Sequence, residues 1–221
     1  MEFQAFKKIP RLSRDCIITE KIDGTNAQVF IVNSQDFYSW FEENTEAYQD
    51  EAEKFLEQYC LYIKLTVESD YYLYMFAGSC KRWLDTSSKG DNFGFAKWVQ
   101  ANAEELLKLG EGRHYGEWYG QGIQRGYGLD HKRFALFNVH KWSDDEIRPK
   151  CCDVVPILYK GMFDTNQIKL CLANLMSGGS SAISNFKNPE GIIIFHSASG
   201  QLFKKTIEND EQPKGVKNGK R

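Results

Sequence analysis

Residues 16–32 read CIITEKIDGTNAQVFIV, with a lysine, two acids and a glycine set between two runs rich in β-branched residues. The flanking runs, 16–20 and 27–32, predict strands, and the KIDG segment between them predicts a turn, so the unit reads as hairpin-like. Asp-Gly is a strong hairpin signal by itself, and most lysines are solvated surface charges. Gly24 also suits a turn whose backbone must approach a ligand closely, and Asp23, Thr25 and Asn26 place polar groups around it. Lys21 stands where strand meets turn. A lysine amine attacks an electrophile only when deprotonated, which requires desolvation or neighbouring positive charge to bring its pKa down from about 10.4. A metal ion and a second lysine would have that effect.

Working outward, residues 42–62 have helix-forming composition, with Ala52, Phe55, Leu56 and Tyr59 on one face. YYLYMFAGS (71–79) predicts a strand ending at Gly78. Residues 94–109 predict a helix with Phe95, Trp98, Val99, Leu106 and Leu109 on or near one stripe and Gly110 as its stop. Glycines then alternate with aromatics over 112–128, followed by the strand FALFNV (134–139). NQIKLCLANLM (166–176) predicts a short helix with GGSS as its exit, and GIIIFH (191–196) and QLFKKTIEN (201–209) predict strands. No repeat or linker interrupts this order, and the economical architecture is a β-rich α+β single domain.

With 221 residues and 42% hydrophobic content, the chain is long enough to bury a core as one large domain. No run reaches the roughly 18 apolar residues of a membrane span, and MEFQAFKKIP lacks the features of a secretory signal. A cytoplasmic protein, or a nuclear one if eukaryotic, is expected, neither secreted nor membrane-bound. The six cysteines form no CxxC pair and read as reduced thiols, and the four histidines lack metal-ligand spacing. A net charge of −2 does not announce a nucleic-acid binder. The charge is uneven, however: KKIPRLSR (7–14) and PKGVKNGKR (213–221) are basic, FEENTEAYQDEAEKFLE (41–57) is acidic, and a local phosphate-binding face stays open. GQGIQRGYG (120–128) lacks the spacing and the strand-then-helix context of a dinucleotide fingerprint.

EKIDGTN (20–26) resembles the KxDG signature of the covalent nucleotidyltransferases, which comprise DNA ligases, RNA ligases and mRNA capping enzymes. Further segments follow in the family's order: AGSCKRWL (77–84) resembles a variant Ser-Arg-x-Arg element, GEWYGQGIQRGYG (116–128) the Gly-Glu-aromatic-aromatic-Gly element, and RFALFNV (133–139) the aromatic strand after it. PEGIIIFH (189–196) is similar to the Glu-Gly-hydrophobic motif and QLFKKTIENDE (201–211) to the terminal lysine motif. FKKIPRL (6–12) and DNFGFAKWV (91–99) also look familial. The resemblance spans nearly the whole chain, and its form is closest to ATP-dependent RNA ligases of the phage type.

The resemblance implies an α+β adenylyltransferase domain, ATP-grasp-like, of antiparallel sheets flanked by helices. It would span residues 1–211, have no appended OB domain, and be followed by a basic, flexible tail at 212–221. It implies ATP and Mg²⁺ as cofactors, with Mn²⁺ as an alternative metal. Lys21 would be the adenylylated nucleophile and Lys204 would neutralise the α-phosphate. Lys205 beside it would also bind the nucleotide, although adjacent strand residues face opposite ways, so only one of the two can face the site, and the resemblance favours Lys204. The main chain at Glu20 would border adenine, Phe137 would stack on it, Glu117 would bind a ribose hydroxyl, and Arg82 the ribose or a phosphate. Asn26 would complete the nucleotide site, and Glu190 with Asp23 would bind the metal. Each has a plainer reading: core packing for Phe137, a surface stacking pair for Arg82 beside Trp83, a solubilising edge charge for Glu190.

Cys80, Thr206 and Asn138 depart from the family pattern, which has arginine, lysine and aspartate there. The activity implied is joining of RNA 3′-hydroxyl and 5′-phosphate ends, in a nicked duplex or single strand, through lysyl-AMP and an adenylylated 5′ end. A monomer is expected, with an accessory protein for end recognition as a further partner. Nicked-DNA ligation, mRNA capping, and a non-catalytic RNA-end-binding module are the alternatives.

Overall fold

The computed structural model describes residues 13–45, 49–66, 70–208 and 210; most of the basic run 7–14 and the tail 212–221 lie outside the described residues. The chain opens with β1 (Asp15–Lys21). There follow β2 (Thr25–Asn33), α1 (Ser34–Thr45), α2 (Gln49–Tyr59), β3 (Cys60–Thr66), β4 (Tyr71–Ser79), β5 (Trp83–Leu84), α3 (Phe95–Ala101), α4 (Ala103–Leu106) and a 3₁₀ turn at Leu107–Leu109. Next come β6 (Gly112–Gly120), β7 (Lys132–Leu136), α5 (Val139–Trp142) and β8 (Cys152–Val154), then β9 (Ile157–Met162), α6 (Thr165–Gly178), β10 (Gly191–His196) and β11 (Gln201–Thr206). The fold is α+β, with antiparallel sheets flanked by helices as expected, and it divides into two compact units: residues 1–23 with 155–221, and residues 24–154.

The first unit holds a four-stranded antiparallel sheet in the order β11-β10-β1-β9. Strand alternation sends Cys16 and Ile18 of β1 and Ile192 and Ile194 of β10 to one face, where Cys171, Leu172 and Leu175 of α6 cover them. Asp164 caps α6, its carboxylate accepting the Asn166 N–H at 2.8 Å.

The second unit is built on a larger sheet in the order β3-β4-β2-β6-β7-β8, with β5 paired to β4 and one parallel pair, β7 with β8. One face buries Val29, Ile31, Met75, Ala77, Trp118, Phe134 and Leu136 against Phe95, Ala96 and Val99 of α3. At one end of the opposite face, α1 and α2 bring Phe37, Phe41 and Ala52 onto Phe30, Val32 and Phe76. Arg113 stands over the rings of Phe30, Trp83 and Trp40, at 4.4, 5.1 and 5.2 Å from their centroids.

The structure corrects several sequence expectations. β1 and β2 do not form a hairpin: β1 pairs with β9 and β10, β2 with β4 and β6, in different sheets. Ile18, Val29 and Ile31 are fully buried or nearly so, and such strands need neighbours on both edges, which a two-stranded hairpin cannot supply. The KIDG segment therefore links two sheets. The helix expected at 42–62 is two helices, with Cys60–Tyr62 already in β3. α1 starts earlier because Asn33 accepts the Asp36 N–H at 2.7 Å through its side chain.

The helix at 94–109 breaks at Asn102, whose amide donates to the Trp98 carbonyl at 2.8 Å. FALFNV is strand only to Leu136, since Asn138 caps the short α5 through the Lys141 N–H. Among the described residues no helix is long and apolar enough to cross a membrane.

Candidate active site

The first unit brings Lys21 and Glu190 together. Lys21 ends β1 opposite Gly191 of β10, and its ammonium pairs with Glu190 Oε2, the two side chains being 15% and 9% exposed. Gly191 is required by close approach, since a Cβ there would lie 2.2 Å from the Lys205 carbonyl oxygen and 2.7 Å from Thr206 Cα. The register then ranks the two lysines. Gly191 pairs with Thr206 and Ile193 with Lys204, while Lys21 pairs with Gly191 and Thr19 with Ile193. Cross-strand partners share a face, so Lys204 and Thr206 lie on the face of Lys21. Lys205, paired with Ile192, lies on the face of Glu20, and its ammonium contacts Asp210 at 2.9 Å.

Glu20 is only 1% exposed. Its carboxylate accepts the Ser180 hydroxyl at 2.6 Å and the Ser181 and Ala182 N–H groups at 2.7 and 2.9 Å. It thus clamps the loop after α6 to the strand that ends in Lys21. Burial raises its pKa above the ordinary carboxylate value, and the three donors oppose that rise only in part. Sequence reading missed this role: GGSS was read as a helix exit, and nothing in its composition names a buried acceptor 160 residues away.

In the second unit, Gly24 donates its N–H to Glu117 Oε1 at 3.0 Å. A Cβ at Gly24 would lie 2.4 Å from the Trp118 carbonyl oxygen and 2.9 Å from Tyr119 Cβ, so the residue is needed for close approach. Gly24→Ala is expected to destabilise the protein by about 1–3 kcal/mol. For a chain of this size that lowers the melting temperature by roughly 2–12 °C; an unchanged melt would contradict the packing argument.

Asn26 pairs with Glu117 across β2 and β6, Glu117 with Ala135, and the Phe137 N–H donates to the Tyr115 carbonyl at 2.9 Å. Asn26, Glu117 and Phe137 consequently share one face of the sheet, opposite the core of Trp118, Phe134 and Leu136. Phe137 is 38% exposed, outside the core that its plainer reading required. Arg82 is exposed and its guanidinium donates to the Gly90 and Asp91 carbonyls at 2.6 and 3.0 Å, bracing the loop before α3. Asp23 is half-buried at the end of the KIDG segment.

Among the described residues no cluster of three or more His, Cys, Asp or Glu side chains could cage a metal. Mg²⁺ needs no such cage, since it can bind through one or two carboxylates and complete its shell with water and phosphate oxygens. Glu190 and Asp23 are the residues that would hold it.

The fold is similar to solved RNA ligase structures. A Naegleria gruberi RNA ligase mutant with ATP and Mn superposes at TM-score 0.51 and 18% identity, over 88% of this chain and 49% of that one. A second mutant, with AMP and Mn, gives 0.52 and 16% over 89% and 51%, and the ligase with PPi gives 0.51 and 18% over 89% and 50%. The chain spans about half the length of these structures. No curated protein sequence matches it. The RNA ligase family model matches residues 14–206, well over half of the chain, and the chain therefore belongs to the RNA ligase family.

Proposed function

We propose that the chain is an ATP-dependent RNA ligase acting through a covalent lysyl-AMP, and the observation that carries this reading is the part-buried Lys21–Glu190 pair at the KxDG segment. Lys21 Nζ, after losing a proton, attacks the α-phosphorus of ATP; a phosphoramidate bond forms and the bond to pyrophosphate breaks. The proton leaves to solvent before the attack, and Glu190, in contact with the ammonium, orients the lysine. The AMP then passes to an RNA 5′-phosphate, releasing the lysine, and a 3′-hydroxyl attacks that phosphate and expels AMP as the phosphodiester forms. Glu190 and Asp23 would hold Mg²⁺ or Mn²⁺, which would supply charge neutralisation at the triphosphate.

Lys204, on the face of Lys21, is assigned to the charge that develops on the phosphates. Within the second unit, Glu117 is assigned to a ribose hydroxyl, Phe137 to the base, and Asn26 to polar contacts on the same face. Arg82 is assigned to ribose or phosphate. Incubation with α-labelled ATP and Mg²⁺ followed by denaturing electrophoresis is expected to leave label on the protein, γ-labelled ATP none, and a chelator is expected to abolish it. A wild-type chain that stays unlabelled with α-labelled ATP would refute the mechanism.

The lysine ranking gives a sharper outcome. Lys204→Ala should slow lysyl-AMP formation about 10²-fold, the usual scale for one electrostatic donor. Lys205→Ala should slow it by less than about fivefold, since its exposed pair with Asp210 is worth little. Equal losses in single-turnover rates would reject the assignment by face.

A further inference from the structure

The second unit packs its aromatic residues densely. Phe30, Phe37, Trp40, Phe55, Phe76 and Trp83 form a connected set of ring contacts at one end of the sheet face opposite the main core. Three rings on that same face lie outside this set and are exposed: Tyr72, 47% exposed and far along β4 from the Glu117 row, and the pair Tyr115 and Phe137. Tyr115 is 48% exposed and Phe137 38% exposed, and among the described residues neither makes a ring contact and the Tyr115 hydroxyl has no hydrogen-bond partner. Both sit away from the sheet's edges: β6, which carries Tyr115, lies between β2 and β7, and Phe137 directly follows β7.

The two residues are cross-strand neighbours, joined by the hydrogen bond from the Phe137 N–H to the Tyr115 carbonyl, and the next row along β6 holds Glu117. Adjacent strands are about 4.8 Å apart, so the rings stand side by side on two strands. A nucleobase of ordinary size covers one such ring well and cannot cover both.

Gln28, Tyr115's partner on β2, does not fill the space, because its Oε1 accepts from Arg113 at 3.0 Å. Aromatic rings exposed on neighbouring strands of a sheet stack successive bases of single-stranded RNA in other folds.

We propose that Tyr115 is the second ring of a two-base platform, stacking a nucleobase of the RNA end beside the nucleotide base on Phe137. The inference rests on the RNA-ligase reading above and extends it to the polynucleotide substrate. Tyr115 is half exposed and, among the described residues, makes no ring contact or side-chain hydrogen bond, so its removal opens no cavity in the core.

The test separates the two steps, using the full chain. Lysyl-AMP formation is measured from ATP in a single turnover, and sealing is measured with a pre-adenylated 5′-end oligonucleotide and an RNA 3′-hydroxyl strand, without ATP. For Tyr115→Ala the KM for pre-adenylated RNA should rise about 5- to 100-fold, the range expected for loss of one stacked base. Any loss in lysyl-AMP formation should be at least tenfold smaller than the loss in sealing. Tyr115→Phe, which keeps the ring, should restore sealing to within about twofold of wild type.

Wild-type sealing by Tyr115→Ala overturns the platform, as does an equal loss in both steps, which would place Tyr115 with the ATP base. A wild-type chain that neither forms lysyl-AMP nor seals pre-adenylated ends refutes the ligase reading itself, and the platform with it.

Discussion

Lys21→Arg is expected to reduce covalent labelling by α-labelled ATP on the order of 10³-fold or more while leaving the fold intact. Arginine keeps the positive charge beside Glu190 but cannot lose its proton in a protein, so the ion pair survives and the nucleophile does not. The substitution separates chemistry from stability in a way that Lys21→Ala does not. Alanine would leave the Glu190 carboxylate, only 7% exposed, without its cation. Removing one partner of a buried pair typically costs about 3–5 kcal/mol, an upper bound here because both side chains keep some exposure. A melt of Lys21→Ala well below that of Lys21→Arg, with both unlabelled, is the expected result. Label persisting on either variant would move the nucleophile elsewhere.

Glu20→Ala should destabilise the protein by about 2–4 kcal/mol, since it strands the Ser180 hydroxyl and two backbone N–H groups that now share one buried acceptor. Lysyl-AMP formation should fall with it, because the loop after α6 and the strand ending in Lys21 lose their tie. The pH dependence has a definite sign. Burial raises the folded-state pKa of Glu20 above its ordinary value of 4.5, so in the window just above 4.5 the native state holds a proton that the unfolded chain has released. Stability contributed by this group is therefore present below the unfolded value and is lost as pH rises through the folded one. Comparing wild type with Glu20→Gln by chemical denaturation across pH 4 to 8, the stability difference should favour wild type increasingly as pH falls. A difference that grows instead with rising pH would show that the three donors outweigh burial.

Much of this protein is legible along the chain, for reasons that are local. The β-branched runs around Ile18, Ile31 and Ile193 form strands wherever they are placed, because their side chains suit a pleated, buried surface. α6 follows from Asp164 as its cap and from the apolar side chains that meet the sheet. The KxDG, Gly-Glu-aromatic-aromatic-Gly and Glu-Gly-hydrophobic segments were recognisable because each sits within a few residues, and their order carried the family.

What was not legible depends on pairing between distant residues. Asp-Gly between two strand-forming runs satisfies the local conditions for a hairpin, and only the availability of β9, β10, β4 and β6 as partners sends β1 and β2 into separate sheets. The separation of Lys204 from Lys205 could be foreseen from alternation, but which of them shares a face with Lys21 depends on the register through Gly191. Glu20 looked like part of a motif and proved to be the acceptor for a loop far along the chain. Tyr115 looked like one aromatic among many, and only the sheet shows it exposed beside Phe137. The sequence alone determined which segments become strands and helices and which side chains could carry the chemistry, since both follow from local propensity and residue type. Tertiary structure decided which of those side chains share a face, since strand register and burial arise from contacts that no short segment contains.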